Sequence, residues 1–183
     1  MHNSRYIVKY NFLTEDEISS LLNYWKSISE VSILSTNRWD KTNKIINDIS
    51  VKGRKVRITG IQKDMFYSIT NKITLLFEEV LGDQAKIEYP HYLTEYTVGS
   101  YHSAHKDKLP KMWFRDKVVT IQLSDSNDYE GGYLKIGQET LPREKGCAVV
   151  YNGKDSHQVT KVTKGVRFSL TECAGVEPKE VLI

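Results

Sequence analysis

The sequence predicts an α+β protein, mainly β, with two helices packed on one face of a strand-rich core. Two stripes of apolar residues at helical spacing occupy the first 84 residues. From Ala85 onward short runs rich in Tyr, Thr and Val alternate with Gly-, Asn- and Asp-bearing turns. No Pro/Gly/Ser-rich linker separates the halves. The 183 residues therefore read as one domain, 1–183, with a helical support region over 1–84 and a β core over 85–175.

The first helix is announced by Thr14 and, three residues on, Glu17, a capping box in which each side chain satisfies the other's backbone N–H. Ile18, Leu21, Leu22, Trp25 and Ile28 follow at helical spacing, which predicts a helix over 15–28. Residues 31–58 are less regular. Val56-Arg57-Ile58 suggests a strand, and the polar region 37–43 and Gly53 interrupt the pattern. A second stripe, Met65, Phe66, Ile69, Ile73, Leu76, Phe77 and Val80, predicts another helix, stopped at Gly82. Strands are expected within 89–101 and at 118–123, 132–136, 147–151 and 166–171. Turns at 124–128, 130–132, 152–153 and 164–165 separate them. Short strands at such spacing indicate a sandwich or closed barrel rather than a parallel sheet.

Composition excludes several classes. The chain is 39% hydrophobic and 27% charged, and its net charge of +3 is too mild to call for nucleic acid or membrane binding. No apolar run approaches the roughly 20 residues of a membrane span, and the first six residues lack the apolar stretch of a secretory signal. Cys147 and Cys173 fall in strand-like segments without metal-type spacing, so they read as small apolar filler. A cytoplasmic location is expected.

The chemistry concentrates in the strand-rich half. His105 and Asp107, two residues apart on an extended strand, point to one face and can supply two ligands to a metal ion. His157 lies about fifty residues downstream, with Arg167 ten residues beyond it. If 157–169 is a hairpin turning at 163–165, Arg167 pairs near Lys161 on the face of His157. The two would then stand on the order of 13 Å apart, at ~3.3 Å per residue. A metal held by the histidine and an anion held by the planar fork of the arginine would suit a five-carbon dicarboxylate spanning the gap.

Taken in order, these motifs carry a family resemblance. Tyr96-x-x-Gly99, His105-x-Asp107, Tyr129-Glu130-Gly131-Gly132-Tyr133-Leu134, His157, and Arg167 with Gly165 before it resemble the iron(II)- and 2-oxoglutarate-dependent dioxygenases. The similarity is to the prolyl 4-hydroxylase-like branch and runs over residues 92–172. It implies a double-stranded β-helix (jelly-roll) core. It also implies a 2-His-1-carboxylate triad of His105, Asp107 and His157 for Fe(II). Arg167 would hold the distal carboxylate of the 2-oxoglutarate co-substrate with help from Tyr96, and more weakly from Thr120 and Ser169. O2 would be consumed, succinate and CO2 released, and ascorbate would serve as reductant.

The reaction so implied is hydroxylation of an unactivated C–H bond, most naturally of a prolyl residue in a peptide or protein. The alternatives are a free amino acid or other small molecule, a catalytically inactive metal-binding module, or a hydrolytic or structural zinc site. A nucleic-acid substrate is not expected, and the oligomeric state is left open. Substrate-side candidates are His102, Trp113 and Tyr129; the two aromatics could pack on a proline ring. On a regular strand His102 would point away from the ligand face, and His91 reads as a spectator. Lys106, Lys108, Lys111, Arg115 and Lys117 make the loop after Asp107 basic, a candidate lid. This chain has His102 where many relatives have tyrosine, and Glu172-Cys173 where relatives often have tryptophan. It carries arginine at 167, where collagen-type enzymes usually have lysine.

Overall fold

The Thr14–Glu17 box forms as its residue types dictate. Glu17 N donates to Thr14 Oγ1 at 3.3 Å and Thr14 N to Glu17 Oε2 at 2.9 Å. In the computed structural model, which describes residues 5–31, 46–50 and 53–178, this box starts a helix longer than the stripe alone suggests. The elements are β1 (Tyr6–Lys9), α1 (Glu15–Val31), β2 (Ile46–Ser50), β3 (Arg54–Ile61), α2 (Tyr67–Leu81), β4 (Ala85–Tyr96) and β5 (Tyr101–His105). A 3-10 turn at Trp113–Arg115 leads to β6 (Lys117–Gln122), β7 (Tyr129–Gly131), β8 (Leu134–Ile136), β9 (Glu139–Thr140) and β10 (Ala148–Asn152). The chain ends in β11 (His157–Val159), β12 (Val162–Gly165) and β13 (Arg167–Val176). The polar region 37–43 lies outside the described residues.

One antiparallel sheet runs in the order β1-β10-β6-β13-β4-β3-β5-β11-β8-β9, with β2 beside β3 and a separate β12-β7 pair. Alternation along the strands divides two cores. Leu93, Val119, Ile121, Val150 and Leu170 face the helices, meeting Leu21, Trp25, Ile73 and Phe77. Opposite them, Val118, Val149, Tyr151 and Cys173 share a cluster with Leu134, Ile136 and Val159. That cluster joins strands from both halves of the strand order, so the sheet curls over itself. The result is the mainly β jelly roll, with both helices on one outer face. The first 84 residues contribute β1, β2 and β3 as well as both helices, so residue 85 does not mark the start of the sheet.

Two irregularities matter for the interior. Between β5 and β11, His157 lies opposite His105 but Val159 lies opposite His102, so β5 holds one extra residue, a β-bulge. Between β4 and β13, Tyr92 opposes Thr171 while Glu88 opposes Cys173, which displaces 89–91 out of the regular ladder. Glycine is required where backbones meet closely. A Cβ on Gly131 would sit 2.1 Å from Lys161 O, and one on Gly165 only 1.9 Å from Asp128 O. These contacts pin β12 against β7, away from β11.

Candidate metal centre

His105, Asp107 and His157 converge, with ligand-type atoms all within 4.8 Å of one another. His105 ends β5 directly across from His157 on β11. Asp107 lies beyond the strand, and its backbone N–H donates to Gly153 O at 2.9 Å, as does that of Lys108 at 3.0 Å. The triad is thus built from a strand pair and the turn after β10, where parity along a single strand was expected to place two of the ligands. Each imidazole is oriented by its own backbone. His105 Nδ1 is 2.8 Å from Ser103 O and His157 Nδ1 is 3.0 Å from Asp155 O. A carbonyl can only accept, so Nδ1 carries a proton in each ring and Nε2 is turned inward, toward Asp107, where it could ligate a metal. The Nε2 atoms lie 3.5 Å and 3.1 Å from Asp107 Oδ1 and Oδ2, respectively. Burial pushes the Asp107 carboxyl upward, but hydrogen bonds from both histidines outweigh it and hold the group well below the usual carboxylate range. Two imidazole nitrogens and an ionised carboxylate form the donor set of a facial triad, and they fit a divalent transition metal.

The cluster opens into a cavity of about 360 Å³. Arg167 lies on the same wall system and is fully buried. Its position differs from the expected hairpin. β13 pairs with β4 and β6, whereas β11 pairs with β5 and β8, so Arg167 stands opposite Tyr96 rather than beside Lys161. The Gly165–Asp128 contact sends the intervening strand to β7 instead. The guanidinium lies 4.9 Å from the Tyr96 ring centroid. Its Nη2 and Nε donate to Gln122 Oε1 at 2.9 and 3.2 Å, and Nη1 to Ser169 Oγ at 3.4 Å. Among the described residues no carboxylate pairs with it.

Thr120 and Ser169 also line the cavity, with Thr120 Oγ1 3.3 Å from Tyr151 OH. Tyr151 and Gln122 escaped the sequence reading. Tyr151 is buried with its ring 4.8 Å from that of His157, and burial raises its hydroxyl pKa well above the ordinary value. Gln122 carried a faint signal, a polar residue closing an apolar strand.

The substrate-side candidates divide. His102 lines the cavity and stacks on His105 with ring centroids 3.8 Å apart. The bulge in β5 reverses the parity that would have turned it away. Trp113 is not among the cavity-lining residues; it packs edge-on against Phe114, 5.7 Å away. Tyr129 is also outside the lining, buried beneath Arg143, whose guanidinium lies 4.4 Å from its ring. Leu109, Met112 and Arg115 reach the cavity from the basic loop instead. His91 lies on the helix-facing side, bonded to Glu172 and 3.2 Å from Thr70 Oγ1. Cys147 and Cys173 are free and buried, as apolar filler should be. Among the described residues no helix is long and apolar enough to cross a membrane.

Comparison with known proteins extends this picture. No family model matches the chain. It is 38% identical over 88 residues to a PKHD-type hydroxylase of Sphingopyxis alaskensis, covering 43% of this chain and 40% of that protein. It is 31% identical over 116 residues to a PKHD-type hydroxylase of Paraburkholderia xenovorans, covering 58% of this chain and 50% of the relative. The chain therefore spans half or less of the length of these curated relatives. Its fold is that of a prolyl-4-hydroxylase from Pseudomonas putida, with TM-score 0.71 and 17% identity over 96% of this chain and 95% of that one. A viral collagen prolyl hydroxylase from Paramecium Bursaria Chlorella virus-1, solved as a 2OG complex, matches with TM-score 0.70 and 16% identity over 95% and 98% of the two chains. A prolyl hydroxylase from Trichoplax adhaerens, solved with a hypoxia inducible factor peptide fragment, matches with TM-score 0.70 and 16% identity over 95% and 84%. These likenesses show that the chain shares the fold of the prolyl hydroxylases. In sequence, over about half of its length, it is similar to PKHD-type hydroxylases.

Proposed function

We propose that the chain is an Fe(II)- and 2-oxoglutarate-dependent dioxygenase that hydroxylates a prolyl residue in a peptide or protein, consuming O2 and releasing succinate and CO2. One observation carries the reading: three ligating groups and a fully buried Arg167, without a carboxylate partner among the described residues, share one cavity. A zinc hydrolase would use the first and leave the second unexplained. The prolyl substrate rests on the fold relatives, one of which was solved with a peptide.

In this reading His105 and His157 offer Nε2, and Asp107 offers an already ionised oxygen. The metal would supply oxygen activation coupled to oxidative decarboxylation of the 2-oxo acid. Arg167, fixed by Gln122 and Ser169 over Tyr96, holds the distal carboxylate and so sets the direction in which the co-substrate lies. Thr120 and Tyr151 form the polar floor beside His157, and ascorbate serves as external reductant. The cavity walls of β3 and β4, among them Ile58, Tyr92 and Thr94, exclude water from the co-substrate.

The test is anaerobic titration of the protein with Fe(II) and 2-oxoglutarate, following the visible absorption of their chelate. Wild type should form it and His105→Ala should not. If Fe(II) and 2-oxoglutarate fail to bind together, the dioxygenase reading is wrong. Mass spectrometry of a proline-containing peptide library after aerobic turnover should then find a gain of one oxygen at proline. A gain on free amino acids alone would move the substrate to the small-molecule class.

A further inference from the structure

The basic loop after Asp107 spends most of its charge internally. Lys108 pairs with Asp116 at 2.5 Å, Arg115 with Glu88 at 2.7 Å, and Lys117 donates to Asn152 Oδ1 at 2.6 Å. Lys106, between the two ligands of the His105–Asp107 motif, differs. It is exposed, lines the metal cavity, and also lines a second, open depression with Arg5, Ile136, Gly137, Lys154 and Ser156. That depression is assembled from the start of β1, the β8–β9 turn and the β10–β11 turn, the last of which runs directly into His157.

Its charge is net positive. Arg5, Lys106 and Lys154 are exposed, and among the described residues none has a carboxylate partner. Asp155 is the carboxylate in the lining, and Asn152 Nδ2 donates to it at 3.2 Å while its main-chain oxygen accepts from His157. The nearby Glu139 carboxylate accepts from Tyr6 OH at 2.7 Å. Arg5 lies beside that turn, its Nη1 3.8 Å from where a Cβ on Gly137 would sit. Three exposed cations therefore line a groove that shares Lys106 with the reaction cavity.

We infer that this groove binds an acidic segment of the polypeptide substrate, Asp or Glu residues flanking the residue that enters the cavity. The inference rests on the proposed hydroxylase reading and names the substrate class of that same site. Charge complementarity selects the occupant, because three exposed cations outnumber the one carboxylate of the lining and attract a polyanionic strand. An extended chain advances about 3.3 Å per residue. A groove that begins at Lys106 is thus reached by side chains within roughly three to five residues of the target, at that same rise. The overall net charge of +3 is too small to make the whole surface a polyanion trap, so the preference is local.

The test uses the intact protein and fluorescein-labelled peptides with a central proline, flanked on both sides by Glu, by Gln or by Lys. Anisotropy at low salt should show the Glu peptide binding tightest and the Lys peptide weakest. The doubly charge-reversed R5E/K154E, both changes outside the metal site, should lose roughly tenfold in affinity for the Glu peptide and little for the Gln peptide. It should still form the Fe(II)–2-oxoglutarate chelate. Equal binding of Glu and Gln peptides to wild type, or a Glu preference that survives in R5E/K154E, would overturn the inference. So would a single-stranded oligonucleotide that outcompetes the Glu peptide, since the groove would then serve a phosphate backbone. A protein that prefers the Glu peptide yet forms no chelate would leave the groove standing and sink the dioxygenase reading.

Discussion

Replacing Arg167 with leucine isolates the feature on which the co-substrate assignment depends. A guanidinium carries five N–H donors, and three are engaged here, two with Gln122 Oε1 and one with Ser169 Oγ. Five less three leaves two, one on each Nη, the pair that a carboxylate takes as a fork. Hydrogen bonds to a charged partner contribute about 1.5–3 kcal/mol each, so losing two weakens 2-oxoglutarate by about 3–6 kcal/mol, or roughly 10²–10⁴ in Kd. The free protein should change far less. Leucine removes a buried charge that has no counter-ion among the described residues, which relieves desolvation, while Gln122 Oε1 loses its partners at a cost of about 1–3 kcal/mol. Anaerobic chelate titration at fixed Fe(II) reads the first quantity and thermal unfolding of the metal-free protein reads the second. R167L should keep wild-type Fe(II) affinity, unfold within about 5 °C of wild type, and need at least a hundredfold more 2-oxoglutarate. A folded variant whose 2-oxoglutarate affinity falls less than tenfold would refute the assignment of this arginine. R167K should sit between the two, because lysine restores the charge without the fork.

Two further expectations concern the helix-facing layer. Burial would raise the Glu17 carboxyl, but hydrogen bonds from Lys72, Ser68 and Thr14 prevail and hold it at about 2. That lies below its ordinary value of 4.5, so its contribution is complete above about pH 4.5 and lost as the pH falls toward 2. E17Q should cost about 1–2 kcal/mol at neutral pH and progressively less in acid, as urea melts at about pH 6 and about pH 3 would show; a penalty independent of pH contradicts this. The buried His91–Glu172 pair should behave as one unit. E172L strands His91 Nδ1 and the Cys173 N–H at about 1–3 kcal/mol, and adding H91L should cost much less than the sum of the single changes. Strict additivity in the double-mutant cycle would show that the two side chains do not depend on each other.

Both helices, the main strands and every triad residue were legible in the sequence, because each rests on a local rule. Thr14 and Glu17 satisfy one another over three residues, and the stripe through Ile69, Ile73 and Phe77 needs no knowledge of its partner. His105, Asp107, His157 and Arg167 were legible as an ordered motif. The path by which they meet was not. The expected hairpin between His157 and Arg167 does not form, because Gly165 and Gly131 accept backbone contacts that no side chain would allow, and these carry β12 to β7.

Trp113 and Tyr129 looked like substrate aromatics because composition records their presence in a loop and not the direction they face. The fold leaves both out of the cavity lining. It brings in Tyr151 and Gln122, whose significance depends on strand neighbours far off in sequence. The sequence by itself determined the residue chemistry: two imidazoles, a carboxylate and a guanidinium in an order suited to a metal and a dicarboxylate. Tertiary structure decided which side chains share the cavity. One extra residue in β5 reverses side-chain parity and brings His102 onto His105, and the curl of the sheet brings Arg167 into the cavity that His105, Asp107 and His157 line. Register and curvature are set by long-range pairing and close backbone contact, which local periodicity does not encode.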